Sequence, residues 1–298
     1  KIFLDFDGQV VTDSIWTQYN NFANIHAPAY DVDGNASQFG AAELANIAEA
    51  WKRIAEDFAP FQVDVTTEEP PLSVLEAGGQ GIRVIISSRT DTATGNQWWT
   101  QSLGGVADPF YNAWNYAGDR PIWVFANDFH LRTPPFEQYF IGTIASHELG
   151  HSMGLHHDGN FNPSEEYYIG HGSGDTSWGP IMGGAEYRTL TQWSKGEYNG
   201  ANNSYPNIGD GEDDLANIAS RLGYRADDHG NSLNVSGSSL LTVTNGNFAT
   251  SGVIGGSTGT SNGNDVDVFR FNAGSQPIDI ALYVKPAAVG PNLDLELK

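Results

Sequence analysis

The 298-residue chain contains no cysteine, which excludes a disulfide framework, thiolate metal sites, thiol nucleophiles and iron–sulfur chemistry. It is also poor in cations: 14 lysines and arginines face 36 aspartates and glutamates, a formal charge of −22. Such a surface repels phosphate backbones and anionic headgroups, so nucleic acid is not an expected partner. No apolar run approaches the ~20 residues of a membrane span. Methionine occurs only twice. What the chain does have, 35 glycines and 12% aromatic residues, belongs to a folded, loop-rich protein rather than a disordered one. Its start, Lys1-Ile2-Phe3-Leu4-Asp5-Phe6-Asp7-Gly8, reads as a strand ending in a turn and not as a signal peptide.

Hydrophobic spacing then sets the elements. Leu44, Ile47, Ala48, Trp51, Ile54, Ala55 and Phe58 recur at three and four, which puts them on one face of a long helix stopped by Pro60. Residues 61–66 alternate as a strand. Gly81–Ser87 is a continuous apolar run, the pattern of a central strand. Gly104-Gly105-Val106-Ala107 reads as a short edge strand, and Pro121–Phe125 as another strand. A second helix is expected from Pro135 to Met153, followed by a polar, glycine-rich stretch over 158–184 and a compact helix over 213–223. This order predicts an α/β (α+β) fold with a mixed sheet. Past residue 225 the composition shifts to Asp, Asn, Ser, Gly and Thr, with short β-like runs at 266–271 and 278–284. We therefore expect one domain over 1–225 and a small all-β, sandwich-like segment over 226–298.

Four of the eight histidines fall within eleven residues, in His147-Glu148-Leu149-Gly150-His151-Ser152-Met153-Gly154-Leu155-His156-His157-Asp158. His147 and His151 are four apart on a helix, so one face presents two imidazoles to a single ion. Glu148 sits beside the first, where its carboxylate can take a proton from water at an open coordination position. Gly154 accepts a positive φ, which lets the chain leave the helix and return a third imidazole. His157 is the expected third ligand, ten residues after His147, with His156 its neighbouring competitor. Residue frequencies give the bare His-Glu-x-x-His in roughly 1% of chains of this composition and the full pattern in about three per 100,000.

This segment resembles the metzincin zinc endopeptidases, whose motif His-Glu-x-x-His-x-x-Gly-x-x-His is met by His147, Glu148, His151, Gly154 and His157. Asp158 is similar to the residue at that place in the adamalysin/reprolysin branch. The resemblance implies a twisted mixed sheet, a long backing helix, a zinc helix and a methionine turn beneath the metal. Met182, in Gly179-Pro180-Ile181-Met182-Gly183-Gly184, is the candidate for that turn. The astacin and serralysin branches carry a tyrosine two residues after the methionine. Here that place holds Gly184, so no tyrosine ligand is expected. Tyr187 is a candidate for substrate contact, and His171 reads as a surface-loop residue. The family's edge strand pairs with extended substrate, which assigns that role to Gly105 and Val106. The tail, through Asp265–Phe271 and Asn292–Leu297, resembles part of the bacterial pre-peptidase C-terminal domain.

These readings imply a secreted, bacterial type of zinc endopeptidase, monomeric, acting on protein or peptide. The alternative is a catalytically inert, zinc-bearing surface adhesin or scaffold. Calcium is a candidate second ion, because Asp31–Asn35, Asp91–Asn96 and Gly209–Asp214 place oxygen ligands beside glycines.

Overall fold

In the computed structural model, residues 1–12, 14–108, 113–128, 136–205, 211–255, 265–274 and 279–293 are described. The fold is mixed α+β. Its centre is a five-stranded sheet of β1 (Ile2–Asp5), β4 (Val65–Thr66), β5 (Ile82–Ile86), β6 (Gly105–Val106) and β7 (Ile122–Val124), ordered β4-β1-β5-β7-β6. All pairs are parallel except β6 with β7, so the sheet ends in an antiparallel edge.

Every residue of β5 is buried, as a strand covered on both faces must be. Alternation divides its side chains. Val84 and Ile86 enter the core beneath α2 (Ala41–Asp57) and α4 (Phe136–Ser152), whereas Ile85 enters the opposite layer. In β7, Ile122 and Val124 face the first core and Trp123 the second.

Helix α2 begins where Gly40 N–H donates to the Glu43 carboxylate at 2.6 Å. It buries Ala50 and Ile54. The two long helices approach closely at Gly142, where a Cβ would stand 3.0 Å from Arg53 Cβ. The Arg53 guanidinium lies 3.5 Å from the Tyr139 ring centroid, sealing that contact.

The second face is covered by units the sequence pattern did not reveal: β2 (Gln9–Thr12) paired antiparallel with β3 (Asn24–Ala27), and the short α1 (Ile15–Asn20) between them. Trp16, Trp98, Trp99 and Trp123 fill this layer, with Trp98 and Trp123 centroids 4.3 Å apart. Elements this short carry too few periods to stand out in a sequence. The strand expected over 61–66 contracts to Val65–Thr66, because Phe61 bridges to Tyr224 and Gln62 N–H donates to Gly223 O at 2.9 Å. The turn α3 (Leu72–Leu75) follows it.

The stretch after α4 is more ordered than its polarity suggests. β8 (His157–Phe161) pairs antiparallel with β9 (Ser164–Glu165) and β12 (Ala201–Tyr205), and β10 (Trp178–Pro180) pairs parallel with β11 (Leu190–Gln192). α5 (Asp214–Leu222) starts on an Asp213 side-chain cap and stops at Gly223, as its sequence predicts. Beyond it, β13 (Ser239–Leu240) pairs with β14 (Phe269–Arg270). Described residues 279–284 form no strand, and Ile280, Leu282, Tyr283 and Val284 are exposed. A strand needs a neighbour for its main-chain hydrogen bonds, and no described residues pair with this run. Among the described residues no helix is long and apolar enough to cross a membrane.

Candidate metal centre

The four-residue spacing sets His147 and His151 on one face of α4, with ring centroids 4.8 Å apart. The helix then ends abruptly. Gly154 takes φ +90°, and Leu155 N–H turns back to donate to Gly150 O at 3.0 Å. This reversal delivers His157 at the start of β8. Its ring lies 5.2 Å from that of His147 and 4.7 Å from that of His151. One nitrogen from each of the three histidines lies within 4.8 Å of the others. His156 points elsewhere: its Nδ1 faces the Glu212 carboxylate at 3.0 Å.

The protonation pattern of the three rings follows from their partners. His147 Nδ1 lies 2.9 Å from Ile181 O, His151 Nδ1 2.8 Å from Leu155 O, and His157 Nδ1 2.8 Å from the Glu166 carboxylate. Carbonyl and carboxylate oxygens only accept, so each Nδ1 carries the proton and each Nε2 presents a lone pair. Burial, reinforced by the charge a neighbouring imidazolium would bring, pulls all three rings down to about 3. They are therefore neutral at ordinary pH. Yet His151 Nε2 and His157 Nε2 lie 3.0 Å apart, two lone pairs facing each other with no proton between them. A cation between them turns that repulsion into attraction. Two nitrogens bound to one zinc at about 2.0–2.1 Å and a tetrahedral angle lie about 3.3 Å apart. The donor set fits a borderline-soft divalent ion.

Glu148 is 8% exposed and lies where α4 meets the sheet edge. Burial raises its carboxyl to about 8, against the opposing hydrogen bond from Ala107 N–H. Strand β6 comes this close because its first residue is glycine. A Cβ on Gly105 would stand 2.6 Å from Trp123 O, 2.7 Å from Ile144 Cγ2 and 2.9 Å from Glu148 Cγ. β6 uses one edge to pair with β7, and among the described residues no strand pairs with its other edge. Gly105 and Val106 thus sit beside Glu148.

Met182 is fully buried in the turn after β10. It lies against α4 at Gly150, where a Cβ would come 2.3 Å from its sulfur. The same turn supplies Ile181 O to His147, and Met182 O accepts from Asp158 N–H at 2.9 Å. Tyr187, the tyrosine singled out from sequence, is 64% exposed in the segment between β10 and β11. The aromatic ring that lies against the histidines is Tyr167, 4.4 Å from His157 and 6.2 Å from His147. Sequence reading missed both Tyr167 and Glu166. The available signal was Asn162-Pro163-Ser164, a turn that folds residues 165–167 back over β8. His171 packs at a tilt against Trp178 and meets the Tyr168 hydroxyl at 3.1 Å.

The acidic loops divide. Asp31, Asp33 and Glu43 come together, but Asp31 Oδ1 accepts the Asp33, Gly34 and Asn35 amides and Glu43 accepts from Val32 and Gly40. In the second loop both Asp91 oxygens are taken, by His26 and by Thr94. In the third, residues 209–210 lie outside the described residues, Asp213 caps α5 and Glu212 holds His156. Two further groups that share Asp267, one with Asp228 and His229 and one with Asp227 and Asp265, were not apparent in sequence, since they join two segments well separated along the chain.

Serralysin C of Dickeya chrysanthemi is 30% identical to this chain over 115 residues, covering 36% of the chain and 21% of that relative. The chain thus matches about a fifth of the relative's length. No protein-family model matches, and no solved structure matches.

Proposed function

We propose that the protein is a secreted zinc-dependent endopeptidase, with His147, His151 and His157 as metal ligands and Glu148 as general base. The observation that carries this reading is the three-imidazole cluster whose Nδ1 atoms are all tied to acceptors, leaving three lone pairs to converge beside a buried glutamate. The partial likeness to serralysin C, a name belonging to one branch of the family the motif resembles, supports it. Zinc held by three neutral ligands supplies Lewis acidity, lowering the pKa of water and polarising a carbonyl.

The chain's own residues do the rest. Glu148 accepts a proton at its carboxylate and returns it to the leaving amine, a role that needs a group able to hold a proton near neutral pH. The Ala107 N–H keeps that carboxylate in place. The open edge of β6 binds an extended peptide by main-chain pairing, which recognises backbone rather than side chain. Gly105 and Val106 line up the peptide bond, and Tyr187 is left as an outer contact. Met182 supports the His147 and His151 face from below without ligating. Calcium is proposed as a second, structural ion.

The test is cleavage of a casein or quenched-peptide substrate with and without chelator. Wild-type protein is expected to cut and to lose activity on chelation. Glu148→Ala is expected to keep its zinc and lose at least ~10²–10⁴-fold in turnover. Full zinc occupancy with no cleavage across a peptide library would overturn the proposal and favour an inert binding scaffold.

A further inference from the structure

The three candidate ligands are not supported alike. His147 and His151 rest on the main-chain carbonyls of Ile181 and Leu155 at 2.9 and 2.8 Å. Both rings rise from a helix whose backbone is fixed by its own ladder. His157 stands outside that helix, and its Nδ1 rests on a side chain, the Glu166 carboxylate at 2.8 Å, which is 47% exposed. The Tyr167 ring then covers the His157 imidazole at 4.4 Å. Both groups come from the return arm that follows β9. That arm lies tight on β8 because Gly159 has no side chain: a Cβ there would stand 2.3 Å from Glu165 O and 3.1 Å from Glu166 O.

We propose that Glu166 is a positioning residue for metal retention, fixing the tautomer and orientation of His157 while Tyr167 closes the ring's exposed face. The inference rests on His157 being a ligand, as proposed above. Its physical basis is twofold. A carboxylate accepting from Nδ1–H makes Nε2 a better donor than a carbonyl does, and the ligand set is otherwise uncharged, so Glu166 supplies negative charge through the ring. The third ligand also stands at the end of a strand, first in β8 and opposite Tyr205 of β12, so its backbone is held but its ring has no main-chain carbonyl behind it. Glu166 fixes the rotation of that ring, so metal loss begins at His157 when it is absent.

The experiment uses the full chain loaded with Zn2+, and separately with Co2+. Affinity is read by competition with a chromophoric chelator, and release by stripping with excess EDTA. Glu166→Ala is expected to bind zinc 10–100-fold more weakly, as for other carboxylates behind ligating imidazoles, and to release it correspondingly faster. Its Co2+ visible spectrum should shift, while melting of the metal-free protein stays as in wild type. Glu166→Gln keeps an acceptor but not the charge and should fall between the two; it also serves if the alanine variant does not fold. Glu165→Ala, an exposed neighbour, is the control. Tight wild-type binding with Glu166→Ala and Glu166→Gln within twofold of it, and an unchanged Co2+ spectrum, overturns the role of Glu166 and leaves the site standing. Equal zinc binding by wild type and His151→Ala overturns the site itself, and this inference with it.

Discussion

At the scale of single residues, the short motif does two jobs, and only one is visible as chemistry. The histidines stand out because four-residue spacing on a helix has one geometric meaning. Gly150, between them, looks like filler. Its role is to let the Met182 sulfur reach the helix backbone: a Cβ there would stand 2.3 Å from that sulfur, 3.1 Å from Trp193 and 3.3 Å from Leu155. Gly150→Ala is therefore expected to cost about 1–3 kcal/mol through overpacking. Met182→Ala alone should cost about 2–5 kcal/mol through the cavity it leaves. Because the added methyl enters the space the thioether vacates, the double variant should be more stable than the sum of the two losses by about 0.5–3 kcal/mol. Denaturant unfolding of the four proteins measures this, and strict additivity would show that the two positions do not share that space. Glu166 was illegible for the opposite reason, since an exposed glutamate in a polar stretch is among the commonest features of an acidic chain.

At the scale of elements, legibility followed length and burial. The long backing helix, the fully buried β5 and the histidine-bearing helix lie where hydrophobic spacing placed them, and the edge strand lies within the glycine-led run read for it. β2, α1 and β3 escaped because four to six residues hold barely one or two periods, and the hairpin after His157 escaped because it is mostly polar. The edge strand β6 carries the clearest functional consequence. Gly105→Val fills a space bounded by Trp123 O at 2.6 Å, Ile144 at 2.7 Å and Glu148 at 2.9 Å, so the strand must lift from α4. That shift carries the Ala107 N–H away from the Glu148 carboxylate and misaligns the edge on which peptide is proposed to pair. A displacement of about 1 Å at such a distance from the reacting bond costs up to ~10²-fold. Peptide cleavage by Gly105→Val should fall on that scale while zinc content, measured in parallel, stays at the wild-type level. Unchanged cleavage would remove β6 from the substrate path.

At the scale of the whole molecule, the charge of −22 places many carboxylates at or near the surface, but one buried carboxylate ties distant parts of the chain together. Asp57, the last residue of α2, accepts from Ser146 of α4 at 2.5 Å and from Asn292 at 3.1 Å. Its backbone carbonyl accepts from the Trp193 indole at 2.7 Å. No sequence pattern links positions 57, 146, 193 and 292. Burial raises the Asp57 carboxyl to about 7 against the lowering effect of the Ser146 and Asn292 hydrogen bonds, with Glu56 raising it further and Arg53 lowering it. In the unfolded chain the same carboxyl titrates near 3.9. Between about pH 4 and pH 7 the native state therefore holds a proton that the unfolded state has released, so this group's contribution falls as pH rises through that window and is flat above it. At ~1.4 kcal/mol per unit, roughly three units set the full loss at about 4 kcal/mol. The three histidines, lowered to about 3, act with the opposite sign, adding stability as pH rises toward their unfolded value of about 6.5. The two effects separate in a difference experiment. Asp57→Asn keeps the shape and removes the titration, so the melting temperature of the variant minus that of wild type should grow as pH is raised from about 4 to 7 and then level off. Both proteins are compared metal-free at constant ionic strength. A difference that does not change with pH would show that the Asp57 carboxyl titrates alike in the folded and unfolded chain, and that its three-way junction is held without an elevated proton affinity.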